Sequence, residues 1–154
     1  MGRFATGVTV VTTRCDGQFT GMTANAVMSL SLDPPLVAVS VDRSAQMHGH
    51  LQESKCFAIS ILKREQEHLS VRFAQRGPKD FSDLDLKTAA TGAPVLAEAL
   101  AYLDCRLVQI VPAGDHDLFI GEPLAGAKGE GTPLIFYGGR YAELASAGIR
   151  QDRR

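Results

Sequence analysis

Little in this chain of 154 residues marks a charged or covalently braced surface. Lysine and arginine number 16 against 17 acidic residues, a net charge of -1, so no electrostatic footprint for nucleic acid or an anionic membrane is present. The three cysteines, Cys15, Cys56 and Cys105, form an odd set without a C-x-x-C pair, which argues against a disulfide framework and a structural zinc site. No apolar run approaches the ~18 residues that span a bilayer, and no charged-then-apolar leader stands at the start. The unpaired cysteines make a reducing cytoplasm the expected compartment. Also missing are a G-x-G-x-x-G opening a helix after a strand, a G-x-x-x-x-G-K-S/T loop and a serine nucleophile elbow. A conventional dinucleotide fold, a P-loop and a serine hydrolase are all unsupported. His48 and His50 lie too close along the chain for a metal pair on one helix face, and no metal is expected.

What is there reads as strands. Val8 to Thr13 is β-branched throughout and meets Cys15-Asp16-Gly17-Gln18, whose Asp-Gly step favours the positive φ of a tight reversal. Phe19 to Ala24 returns as the partner strand. After the Asp33-Pro34-Pro35 break, Leu36 to Val41 is a nearly continuous apolar run, as in a strand covered on both faces, with Pro35 setting its start. Ser44 is a candidate cap for a short helix over Ala45 to Glu53, and Cys56 to Leu62 is strand-like again. Glu65 to Gln75 reads as a helix ending before Gly77-Pro78, and Lys79 to Pro94 as a surface excursion with little regular structure. Leu100 to Val111, Asp117 to Glu122, Leu124 to Lys128 and Leu134 to Tyr137 are four further strand candidates. Phe4 is expected to begin the core.

Seven or eight strands with two or three short helices, not joined by regular crossovers, exclude a doubly wound α/β sheet. A mainly β protein is expected, a closed or partly closed barrel flanked by short helices. It should form one domain over residues 1–145, with a flexible, solvated tail over 146–154.

One stretch departs from core packing. Between Gly21 and Asp42, Thr23, Ala24, Asn25, Ala26 and Ser40 are small where a buried strand would carry large apolar groups, and they leave the backbone open to a flat molecule. Flavin chemistry needs such a slot. It also needs backbone amides near the ring edge that takes up charge, and hydroxyls or arginine for the ribityl phosphate.

Five segments in order carry a resemblance: Phe4 to Thr12, Gly21 to Asp42 with Ser31-Leu32-Asp33-Pro34-Pro35-Leu36 at its centre, Phe57 to Leu62 followed by Arg72-Phe73-Ala74, Gly114-Asp115-His116, and Pro133 to Tyr141. On these the chain resembles the flavin reductase-like family with an FMN-binding split barrel, the small NAD(P)H:flavin oxidoreductases of two-component flavin-dependent monooxygenases. The resemblance implies FMN or FAD as the flavin, NADH or NADPH as hydride donor, a homodimer, and transient transfer of reduced flavin to an oxygenase component. It implies that Thr23, Ala24, Asn25 and Ala26 hold the ring edge, largely through main chain, and that Ser40, Val41 and Asp42 line the ribityl side. Ser44, with Arg43 as assistant, would reach the phosphate, and Phe73 and Ala74 the phosphate or adenylate end. His116, its charge tuned by Asp115 or Asp117, would border the nicotinamide, with Tyr141 closing over the same place. Hydride transfer between stacked rings needs positioning only, so no catalytic side chain is expected. Relatives often carry threonine where Met47 stands, which would take a hydroxyl from the phosphate end. A non-catalytic flavin carrier, and a reductase of the same barrel acting on another acceptor such as a corrin, remain open alternatives.

Overall fold

A computed structural model describes residues 1–145; the tail expected over 146–154 lies outside the described residues. A short β1 (Thr6–Gly7) precedes β2 (Thr9–Cys15), which turns through Asp16 and Gly17, at φ 50° and 76°, into β3 (Gln18–Ala24). The Asp-Gly step thus makes the predicted hairpin. The chain continues through β4 (Val27–Leu32), β5 (Pro35–Asp42), α1 (Gln46–Ser54), β6 (Cys56–Ile61) and α2 (Glu67–Ala74). A short pair β7 (Leu86–Thr88) and β8 (Pro94–Leu96) leads to the long strands β9 (Ala101–Ala113) and β10 (His116–Lys128), then to β11 (Ile135–Tyr137) and β12 (Arg140–Ala142).

Seven strands form one antiparallel sheet in the order β3-β2-β6-β9-β10-β5-β4. Its two edge strands, β3 and β4, are neighbours in the chain, separated only by Asn25 and Ala26. A link that short spans at most ~11 Å, whereas the edges of seven strands laid flat stand about 29 Å apart. The sheet therefore curls until its edges meet at residues 25–26, a barrel split between β3 and β4. Strand β2 is covered on both faces, as its pattern requires. Val11 joins Val39, Phe57, Ile59 and Phe119 in a core closed by Met47 and Leu51 of α1, while Val10 faces Leu62, Leu69 and Phe73 under α2.

Four expectations are corrected. The separate strands at Asp117–Glu122 and Leu124–Lys128 are one strand, β10, because the pairing shifts between Pro123 and Ala125 and a proline at a bulge owes no ladder donor. Strand β4, unpredicted, is an edge strand whose Met28, Leu30 and Leu32 are exposed, so it carries no inward hydrophobic signal. Phe4 is 69% exposed and outside the core. Ser44 does not cap α1: the helix starts at Gln46 with Ala45 as its cap residue and no side-chain cap bond.

Candidate functional site

Two cavities flank residues 23–26. The first, about 490 Å³, lies between the β3 end, the turn after β5 and the end of α2, and is lined by Thr23, Asp42, Ser44, Gln46, Arg76 and Lys79 among others. The second, about 920 Å³, has Ala26, Asn25, Ser40, Thr6 and Phe136 in its walls. Strand β5 also serves both, through Asp42 at the first and Ser40 at the second.

The wall between them is tied down so that the amides of residues 25 and 26 stay free. Thr9 Oγ1 donates to the Ala24 carbonyl at 2.7 Å, and Thr23 Oγ1 to the Ser70 carbonyl of α2 at 2.6 Å. The Ala26 carbonyl accepts from the Ser40 amide at 3.0 Å. Asn25 and Ala26 are exposed, and among the described residues their amides donate to no other protein group. Ala24 and Val41 turn their side chains into the core, 8% and 1% exposed, which leaves only their main chain for a ligand. Phe73, 1% exposed, is a core residue that floors the first cavity, and Ala74 beside it is exposed.

At the far end of the first cavity, the turn after β5 wraps around Asp42. Its Oδ1 accepts from the Ser44 amide at 2.7 Å and from the Ser44 hydroxyl at 2.8 Å, and these bonds hold the carboxyl below the usual carboxylate range. The Asp42 carbonyl accepts from the Ala45 amide at 3.0 Å, so Ser44 sits where α1 begins, at the positive end of its dipole. Two cations, Arg76 and Lys79, come from the segment after α2. That segment is tied back by a two-pronged Arg72–Asp83 pair at 2.6 and 2.9 Å. Lys79 donates to the Gln75 carbonyl and, at 2.9 Å, to that of Gly77, and burial pushes its ammonium below the ordinary lysine value. Both lie beside Gly77-Pro78, in or next to the stretch expected as a surface excursion with little regular structure, which instead carries β7 and packs Phe81, Leu84 and Leu86 against the core, and sequence reading missed them. The signal was a pair of cations around a chain reversal at a helix end.

Arg43, expected at the phosphate, is committed elsewhere. Its Nε and Nη2 donate to Asp117 Oδ1 at 2.9 and 2.8 Å, and the other Asp117 oxygen lies 2.7 Å from His48 Nε2. Arg43 and then His48 hold the Asp117 carboxyl low. His116 instead pairs through Nδ1 with Asp115 Oδ1 at 2.7 Å. It stands opposite Asp42 in the β10–β5 ladder, outside the lining of either cavity. Tyr141 is on a separate small sheet, its hydroxyl 2.7 Å from Ser70 Oγ and its ring edge-on to Phe136. Ser70 thus joins Tyr141 to Thr23. Met47, where a threonine would have offered a hydroxyl, is 3% exposed and packs in the core.

The donor set suits a flavin. A hydroxyl and a carboxamide at the start of α1, faced by two cations from the segment after α2, match a phosphate ester. The second cavity is walled largely by apolar groups, with free amides at its border and a buried Thr6 Oγ1 that has no partner among the described residues. Such a site takes a flat ring with a polar edge.

A family model described as a flavin reductase like domain matches residues 1–145. The FMN reductase (NADH) SmoA of Agrobacterium fabrum is 41% identical over 145 residues, covering 94% of this chain and 83% of its own. An NADH-dependent flavin reductase of a Rhodococcus species is 42% identical over 151 residues, 96% of this chain and 85% of that one. Among solved structures, flavin reductase PheA2 in its native state superposes with a TM-score of 0.88 at 46% identity, over 95% of this chain and 94% of that one. The NADH:FAD oxidoreductase SgcE6 of Streptomyces globisporus, in complex with NAD and FAD fragments, gives 0.90 at 37% identity, over 96% and 90%.

Proposed function

The chain belongs to the flavin reductase-like family, and from that membership we propose that it is an NADH-dependent reductase of FMN or FAD whose reduced flavin passes to a partner monooxygenase. The observation that carries the reading is the meeting of an apolar cavity and a phosphate-suited cleft at residues 23–26, where the Asn25 and Ala26 amides are free. The bound flavin supplies a ring system that accepts hydride from the nicotinamide.

The protein's own part is positioning. The Asn25 and Ala26 amides would meet the ring edge that gains charge, and being fixed beforehand they would need no reorganisation to stabilise it. Ser40 and the main chain of Val41 and Asp42 follow the ribityl chain, and Ser44, Arg76 and Lys79 hold the phosphate, with Phe73 and Ala74 beneath it. His116, oriented by Asp115, borders the nicotinamide, and Tyr141 braces the neighbouring wall through Ser70. No acid or base is required. The apolar walls of the second cavity would exclude water from the ring that it holds.

The protein acts as a homodimer. Met28, Leu30 and Leu32 of edge strand β4 are 47%, 42% and 89% exposed and Phe4, ahead of β1, 69%, and an apolar edge of this kind is covered in a stable assembly; sedimentation at twice the 16.5 kDa chain mass checks it. A cytoplasmic location accords with three unpaired cysteines and is checked by cell fractionation. No helix of the described residues is long and apolar enough to cross a membrane.

The test follows NADH oxidation with FMN or FAD as acceptor, in the wild type and in His116→Ala. Oxidation by the wild type is expected. The variant should raise the KM for NADH about tenfold, the factor one lost hydrogen bond carries, with flavin affinity unchanged. An unaltered rate at subsaturating NADH sinks the His116 assignment, and absence of oxidation with either flavin sinks the function.

A further inference from the structure

Asp117 is 7% exposed, and its carboxylate gathers Arg43 from the turn after β5 and His48 from the first turns of α1. Two further contacts fix the same corner. The Arg43 amide donates to the Asp115 carbonyl at 3.1 Å, and the His48 ring stands edge-on to Phe119 at 5.2 Å. None of Arg43, His48 and Asp117 lines either cavity. Yet Arg43 lies between Asp42 and Ser44, and His48 follows Gln46 and Met47, all four in the cleft wall. The start of β10 is thereby bonded to both ends of the segment that presents Ser44 and Gln46.

We propose that Asp117 is a positioning residue, which sets the Asp42–Gln46 turn for the flavin phosphate through Arg43 and His48 without touching the ligand. The proposal rests on the reading that the cleft takes the phosphate. A buried carboxylate shared by a guanidinium and an imidazole is strongly directional. Asp117→Asn keeps its shape but removes the charge and one acceptor, so the turn loses its fixed register while the ring wall at residues 23–26, held by Thr9 and Ser70, does not.

The test is direct titration of FMN and of riboflavin, which has the ring and ribityl chain but no phosphate, followed by flavin fluorescence. Asp117→Asn should raise the Kd for FMN about tenfold and leave that for riboflavin within about twofold. Arg43→Gln, at a side chain 47% exposed, removes the guanidinium arm and should shift FMN in the same direction; it serves alone if Asp117→Asn fails to fold. A merely structural role would weaken both ligands equally, and that result, or an unchanged FMN Kd in a folded variant, overturns the proposal. Arg76→Gln and Ser44→Ala separate the two claims. If neither alters FMN against riboflavin, the cleft is not the phosphate end and both readings fall. If they do while Asp117→Asn and Arg43→Gln do not, only the role of Asp117 falls.

Discussion

Ala24→Leu and Ala26→Leu place the same isobutyl group two residues apart on one short segment, and the structure assigns them opposite consequences. Ala24 is 8% exposed and packs with Val11 and Val39. Overfilling such a site costs about 1–3 kcal/mol of folding free energy, and for a domain of this size each kcal/mol moves the melting temperature by about 2–4 °C. Ala24→Leu should therefore melt about 2–12 °C below the wild type. Ala26 is exposed and outside the ladders, where substitutions usually cost within about 0.5 kcal/mol, so its melting point should stay within about 2 °C. The same crowding falls instead on the ligand: about 1–3 kcal/mol of lost contact is about a 5- to 150-fold rise in flavin Kd. Thermal circular dichroism and flavin titration of the two variants, side by side, decide it. Wild-type flavin affinity in Ala26→Leu would remove residues 25–26 from the flavin wall, and a wild-type melt in Ala24→Leu would refute the inward placement of Ala24.

Two predictions concern stability. Asp42, Asp83 and Asp117 are held below the usual carboxylate range by bonds from Ser44, Arg72 and Arg43 respectively; a depressed folded value supports the fold above the ordinary aspartate pKa of about 3.9, and that support is lost as pH falls through the depressed values. The melting temperature should drop below about pH 4, and Asp117→Asn should make that acid limb shallower; a limb of unchanged steepness counts against the ion cluster. At Gly121, a Cβ would lie 2.5 Å from Phe57 Cζ and 2.9 Å from Cys105 Cβ, so Gly121→Ala should cost about 1–3 kcal/mol and lower the melting temperature measured by circular dichroism. An unchanged melt would mean that Phe57 yields freely.

The central strands were legible because their signals are local. Val8 to Thr13 with its Asp-Gly turn, and Leu36 to Val41 behind a proline, state both conformation and burial in a few residues. Strand β4 was not, since an edge strand with apolar groups on its outer face breaks the inward alternation on which the reading depends. Pro123 misled for a related reason: a bulge removes the need for its missing N–H, and whether a bulge exists is decided by β9, not by β10 alone. At the site, the small residues from Thr23 to Ala26 were visible as a gap in hydrophobicity. The partners of the charged groups were not. Arg43 and His48 meet Asp117 only through the β5–β10 register, and Arg76 and Lys79 reach the cleft only because α2 packs on β3.

The order of the strands has a kinetic consequence. Although Ala24 and Val27 are almost adjacent in the chain, the strands that carry them stand at opposite ends of a seven-strand order, so the wall around Asn25 and Ala26 exists only once every ladder between them is in register. Pairings between distant segments form late and slowly. A partly folded chain therefore has no flavin site, and flavin stabilises the completed barrel alone, by mass action. Recovery of bound flavin during refolding times the closure of the last ladder, and a cell rich in free flavin favours the finished barrel over its unfinished forms.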